Sequence, residues 1–195
     1  MSSTPRLTAE RFVETRNELP ENGRWCELIG GEVLQLDPPL EEHGTTVLNL
    51  SKAVAEYLHT VEEPESCGYP CFDVGLIVSR TPDTVLFPAM SWFAEGDRFA
   101  DMDNSLIDRT PVLVAEIASS NVRRRNIGQR TEQYLAHGVQ LVWILDPQEQ
   151  VVHVIRSEGI AKRLAAHETL LGSPVLSGFD VRVGDLFAVP KWWNG

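Results

Sequence analysis

Glu116 is the residue whose setting most invites chemistry. It interrupts Val112-Leu113-Val114-Ala115-Glu116-Ile117-Ala118, a nearly continuous apolar run of the kind that forms a strand buried on both faces. A carboxylate there is costly unless it has a cationic partner, a proton or a metal. Ser119-Ser120-Asn121 follows as a helix entry, Arg123-Arg124-Arg125 fill the first turn, and Arg130 comes near the middle. Helix-entry amides and guanidinium groups suit a phosphate. They equally suit a structural ion pair between Glu116 and one arginine, with the triplet as a solvated helix start.

The elements that must hold these residues are legible around them. The spacing predicts a helix from Arg123 to His137, stopped by Gly138, and a second buried strand over Val139 to Leu145. Strand, helix and strand from Val112 to Leu145 make a crossover unit of a partly parallel sheet. Upstream, Thr8 caps a short helix over Ala9 to Arg16, and Gly30-Gly31 joins Trp25–Ile29 to Glu32–Leu36 as a β-hairpin. Apolar residues from Val47 to Val61 fall on one helical face, which predicts a long helix over Glu42 to Val61. Strands are expected over Phe72–Val78 and Thr84–Phe93, with Thr81-Pro82-Asp83 as the turn and Glu95–Pro111 as a polar loop. Val151–Ile155 reads as a further strand, and short strands and turns through Phe187 close the domain. The expected class is α/β: a mixed β-sheet flanked by helices, with an N-terminal hairpin, in one domain spanning 1–195.

Composition narrows the function. The 195 residues carry 17 Lys plus Arg against 28 Asp plus Glu, a formal charge of −11. That balance excludes coating nucleic acid or an anionic membrane through bulk charge, so any such contact needs a local basic patch. With no signal-like or membrane-spanning apolar run, the expected location is the cytoplasm. Cys26, Cys67 and Cys71 read as reduced thiols rather than a disulfide framework or a zinc set. Trp92-Phe93 and Lys191-Trp192-Trp193 are candidate interface aromatics.

Order and spacing of several short motifs resemble the Uma-type restriction endonuclease family of bacteria, similar in core to the PD-(D/E)XK nucleases. The matching pieces are Leu7-Thr8-Ala9-Glu10-Arg11-Phe12, Trp25 to Val33, Pro38-Pro39 with Glu42-His43, and Asp83-Thr84-Val85-Leu86-Phe87-Pro88. Pro111 to Ile117, the helix from Arg123 through Tyr134, Gly138-Val139 and Val142-Trp143-Ile144-Leu145-Asp146-Pro147 complete the match, over roughly residues 7–188. The resemblance implies a PD-(D/E)XK core, Mg²⁺- or Mn²⁺-dependent phosphodiester hydrolysis of DNA and a homodimer. In that chemistry an Asp after Pro and a Glu on the next strand hold the ion, and a Lys assists.

Carried over position by position, Glu116 matches the glutamate. Ala89 stands where the resemblance places the aspartate, and a methyl group cannot ligate a metal. Arg130 stands at the lysine; it keeps the charge, but an arginine does not accept a proton. The literal Pro82-Asp83 pair lies about 20 Å along an extended strand from Ala89, too far to substitute. Glu27, His43 and Asp73 are the candidate replacement ligands beside Glu116. Their structural alternatives are a strand-surface charge, a helix cap and a turn or ladder partner. Arg123, Arg124 and Arg125 are the candidate DNA-phosphate contacts. The expected outcome is a nuclease-like protein with an impaired centre, or alternatively a non-catalytic homodimeric binding or regulatory module with no nucleic-acid role.

Overall fold

The computed structural model describes residues 6–63, 67–97, 100–101 and 104–190. Helix α1 (Ala9–Thr15) starts where expected, the Thr8 hydroxyl accepting from the Arg11 amide at 3.2 Å. Strands β1 (Cys26–Ile29) and β2 (Glu32–Gln35) pair antiparallel around Gly30 and Gly31, whose φ values of 59° and 82° require the left-handed region and explain the Gly-Gly turn. Helix α2 (Glu41–Thr60) buries Leu50, Val54 and Tyr57 on one face.

The strands expected over 72–78 and 84–93 each divide in two. They give β3 (Tyr69–Phe72) and β4 (Gly75–Ser79), then β5 (Thr84–Leu86) and β6 (Met90–Phe93). Tyr69 lies opposite Phe93 and Phe72 opposite Met90, while Leu76 lies opposite Leu86 and Ile77 opposite Val85. All four pairs share one register, so this is one long hairpin bent in the middle, with each half in a different sheet. The bend has local causes: Asp73 sits at φ 52°, and Pro88 has no amide to give a ladder. Strand β7 (Leu106–Ile107), within the expected loop, pairs parallel with β4.

The crossover unit is present as β8 (Leu113–Ile117), α3 (Asn121–Ala136) and β9 (Leu141–Asp146), with β8 and β9 parallel. Strands β10 (Val151–Arg156) and β11 (Ala161–Leu164) extend the sheet antiparallel. A six-stranded sheet thus runs β11-β10-β9-β8-β6-β3, and a five-stranded one β2-β1-β5-β4-β7. Strands β12 (Thr169–Leu171) and β13 (Asp180–Arg182) form a separate pair. The mixed sheet expected from the sequence is therefore two mixed sheets.

Helix α2 covers one face of the six-stranded sheet, with Leu50, Val54 and Tyr57 in one core with Trp92, Leu113, Ala115 and Trp143. Tyr134 of α3 lies on the other side, in a core that joins Val114 and Val142 to Leu76 and Leu86 of the five-stranded sheet. Ala9 and Phe12 of α1 pack with Cys26, Leu28 and Val85. Trp92 and Phe93, each 1% exposed, are core residues and not an interface. Trp192 and Trp193 lie outside the described residues. No disulfide joins Cys26, Cys67 and Cys71. Among the described residues no helix is long and apolar enough to cross a membrane.

Candidate functional site

The interruption in β8 is resolved by α3. Ser120 caps α3, its hydroxyl accepting from the Arg123 amide at 3.2 Å. This start directs positions 123, 130 and 134, spaced at seven and four, to one side of the helix. All three reach Glu116, which is 0% exposed. Arg130 donates to Glu116 Oε1 through Nε at 3.0 Å and also through Nη2. The Tyr134 hydroxyl donates to the same oxygen, and Arg123 Nη1 reaches Oε2 at 3.3 Å.

Arg130 has a second carboxylate. Its Nη1 donates to Glu27 Oε2, while Glu27 Oε1 accepts from the Phe87 amide at 3.0 Å, at the bend before Pro88. Glu27 is not a strand-surface charge: it is 1% exposed and ties the hairpin β1–β2 to α3. Burial works against the Arg130 charge, but Glu116 and Glu27 outweigh it and hold the guanidinium protonated. Burial and the neighbouring carboxylates keep Tyr134 a neutral hydroxyl, against the pull of Arg130.

The remaining candidates lie around this centre without completing a ligand set. Met90 is opposite Ala115 and Phe72 opposite Met90; continuing both registers by one residue puts Asp73, Ala89 and Glu116 at matching positions on three neighbouring chains. Ala89 is 4% exposed and supplies only a methyl group to that row. Burial and Glu116 raise the Asp73 carboxyl above its usual range, and Arg123 and Arg24 partly offset this. His43 does not cap α2, whose cap residue is Leu40; its Nδ1 lies 2.8 Å from the Ser119 hydroxyl. Burial, then Arg123, lowers the His43 imidazole to about 4.

The arginine triplet diverges, as successive helical residues must. Arg123 turns to Glu116, Arg124 pairs with Asp146, and Arg125 is exposed. Asp83 stays at its turn, accepting from the Ala9 amide at 2.7 Å and from Arg80.

A Mg²⁺ ion needs one or two free carboxylates with room for water and phosphate oxygens in an octahedron. Here both Glu116 oxygens and both Glu27 oxygens accept protein donors, and position 89 has no oxygen to offer. No group of three or more His, Cys, Asp or Glu able to hold a metal occurs among the described residues. The donor set therefore does not fit the ion that the sequence resemblance implies. Tyr134 was missed as a partner of Glu116, although its position four residues after Arg130 on one helix was a usable signal.

Residues 13–184 match the Uma2 family model, described as "Putative restriction endonuclease". The fold is similar to the crystal structure of "a putative nuclease belonging to DUF820" from Anabaena variabilis. The TM-score is 0.73 at 19% identity, over 93% of this chain and 97% of that one, and a likeness at this identity establishes the restriction endonuclease-like fold. No curated protein matches the chain.

Proposed function

The chain belongs to the Uma2 family, and from that premise we propose that it is a nuclease-fold protein that holds DNA phosphate without hydrolysing it through a divalent metal. One observation carries this reading. The guanidinium of Arg130 occupies the space between Glu116 and Glu27 as a fixed internal cation, and Ala89, in register with Glu116, carries no carboxylate. A cation fixed by the chain satisfies both glutamates and leaves no carboxylate pair for a metal.

Phosphate contact falls to the start of α3. Arg123 gives Nη1 to Glu116 and keeps 11% of its side chain exposed, and Arg125 is exposed one residue beyond Arg124. Arg123 lies in the first turn of a 16-residue helix, where the dipole favours an anion, and Arg125 opens the second turn. A homodimer, which would set two such helix starts on one duplex, belongs to this reading.

The test is plasmid nicking in Mg²⁺ or Mn²⁺ beside fluorescence anisotropy on a labelled duplex. The natural chain is expected to bind at low salt and not to nick, while Ala89→Asp with Arg130→Lys gains nicking. Nicking by the natural chain at the level of the double variant overturns the reading. The net charge of −11 favours one second reading, a regulatory module that binds protein and no nucleic acid. Absence of duplex binding at low salt would establish it over the first.

A further inference from the structure

Helix α3 and the hairpin β1–β2 enclose a cleft of about 320 Å³ whose lining includes Arg123, Glu27 and Arg130. Its volume lies at the low end of small-molecule pockets, roughly 300–1,000 Å³, too small for a duplex. We propose that this cleft is a nucleobase subsite, which takes one unpaired base of a strand whose phosphate rests at Arg123. The inference rests on the phosphate-binding reading above and adds to it the state of the DNA.

The two walls have different chemistry. The hairpin supplies Ile29 and Leu34, which lie on the same face of the paired strands as Glu27, an apolar surface on which a flat ring can lie. The helix supplies Asn126, Gln129 and Gln133, at spacings of three and four from Arg123 and from one another, so that they form one stripe. Each carboxamide presents a donor and an acceptor in one plane, the pattern that matches the edge of a base.

Charge decides which part of a nucleotide goes where. Arg130 is committed to Glu116 and Glu27, so the interior offers no spare cation among the described residues, and Glu32 at the hairpin end adds a negative charge. A phosphate inside is therefore disfavoured and a neutral ring is not. Arg123, the other cation of the lining, gives Glu116 a single N–H, from Nη1. A nucleotide consequently fits in one direction, phosphate at Arg123 and base toward Gln133. Entry of the base requires a single strand or a base swung out of the duplex.

The test is calorimetric titration of the 195-residue chain with each of the four deoxynucleoside 5′-monophosphates and, as the control without a base, 2-deoxyribose 5-phosphate. At least one nucleotide is expected to bind about tenfold more tightly than the sugar phosphate, within the range that stacking one base contributes. Gln129→Ala with Gln133→Ala should remove that preference and leave sugar phosphate binding unchanged. Both positions are at least partly exposed and alanine is a better helix former than glutamine, so this variant folds. Equal affinity for nucleotides and sugar phosphate, no binding at millimolar concentration, or a preference that survives the double substitution overturns the subsite. Duplex binding without base preference would end this inference and leave the phosphate reading intact. Base preference without duplex binding would support the cleft and end the duplex-binding claim.

Discussion

Arg130 Nε lies 3.0 Å from Glu116 Oε1, the arginine 4% and the glutamate 0% exposed, and the same guanidinium also reaches Glu27. Removing one partner of such a group leaves the others buried and unpaired. Arg130→Met strands two carboxylates and should cost about 3–5 kcal/mol of stability. Arg130→Lys keeps the charge but loses the planar fork that spans both glutamates, and should cost less, about 1–3 kcal/mol. Urea unfolding checks both; a loss below about 1 kcal/mol for Arg130→Met would show that the ion group is not structural.

Asp83 tests the alternative that the literal Pro-Asp pair is functional. Its carboxylate accepts from the first amide of α1, at Ala9, across 74 residues of sequence, and from Thr81 and Arg80. Burial pushes its carboxyl up, but the two amides and Arg80 outweigh this and hold it below the usual range. Asp83→Asn should cost about 1–2 kcal/mol through the α1 amide while leaving DNA affinity as it was. A change in duplex affinity without a change in melting temperature would reverse the assignment.

Much of this architecture was legible because it is local. The Gly30-Gly31 turn, the helical spacing of α2 and the Gly138 stop of α3 are each written within a few residues, while α3 starts at Asn121, two residues before the Arg123 expected from spacing. The bend at Asp73 and Pro88 was not, since the two halves of that hairpin differ in the sheet each joins, and β1 and β8 lie far away in sequence. The site shows the same division. Glu116 stood out as a charge in an apolar strand, whereas its joint tie with Glu27 through Arg130 spans 103 residues and has no local signature.

His43 makes stability depend on pH. Its folded value of about 4 lies below the ordinary 6.5, so between these values the unfolded chain binds the proton more readily. The contribution is fully present above about pH 6.5 and is lost as pH falls toward 4. The imidazole is partly exposed, so the loss is nearer 1–2 kcal/mol than the roughly 3 kcal/mol of a dry site. Asp73, raised by burial, works in the opposite direction from pH 3.8 upward, so the His43 contribution is read as a difference. His43→Gln keeps a hydrogen-bonding partner for Ser119 and should flatten the stability profile between pH 4 and 6.5. An unchanged slope would mean that His43 is as hydrated as in the unfolded chain.

Phosphate contact at the start of α3 makes DNA binding depend on salt in a set proportion. With Arg123 and Arg125 as the contacts, each subunit neutralises about two phosphates, so the logarithm of affinity should fall with the logarithm of salt at a slope near −1.8 per subunit. Arg125→Gln should weaken binding and reduce that slope by about 0.9. Light scattering on the same samples gives the number of subunits. A slope near zero in the natural chain would leave no role for phosphate.

Ala89→Asp separates a lost ligand from a merely altered one. The new carboxylate would enter a position 4% exposed, at the register point facing Glu116 and next to Asp73, whose own carboxyl burial already raises. Without a counter-ion it should destabilise the chain by about 3 kcal/mol. A divalent ion that binds the folded variant recovers part of this by mass action, about 2.7 kcal/mol at a hundred times its dissociation constant. The variant's melting temperature should therefore rise with Mn²⁺, and more so when Arg130→Lys loosens the hold on Glu116. The natural chain, whose glutamate oxygens are already taken, should melt at the same temperature with or without Mn²⁺. Equal stabilisation of natural chain and variant would show that Glu116 exchanges its arginine partners for metal, and that the Arg130 group is a resting arrangement rather than a replacement for the ion.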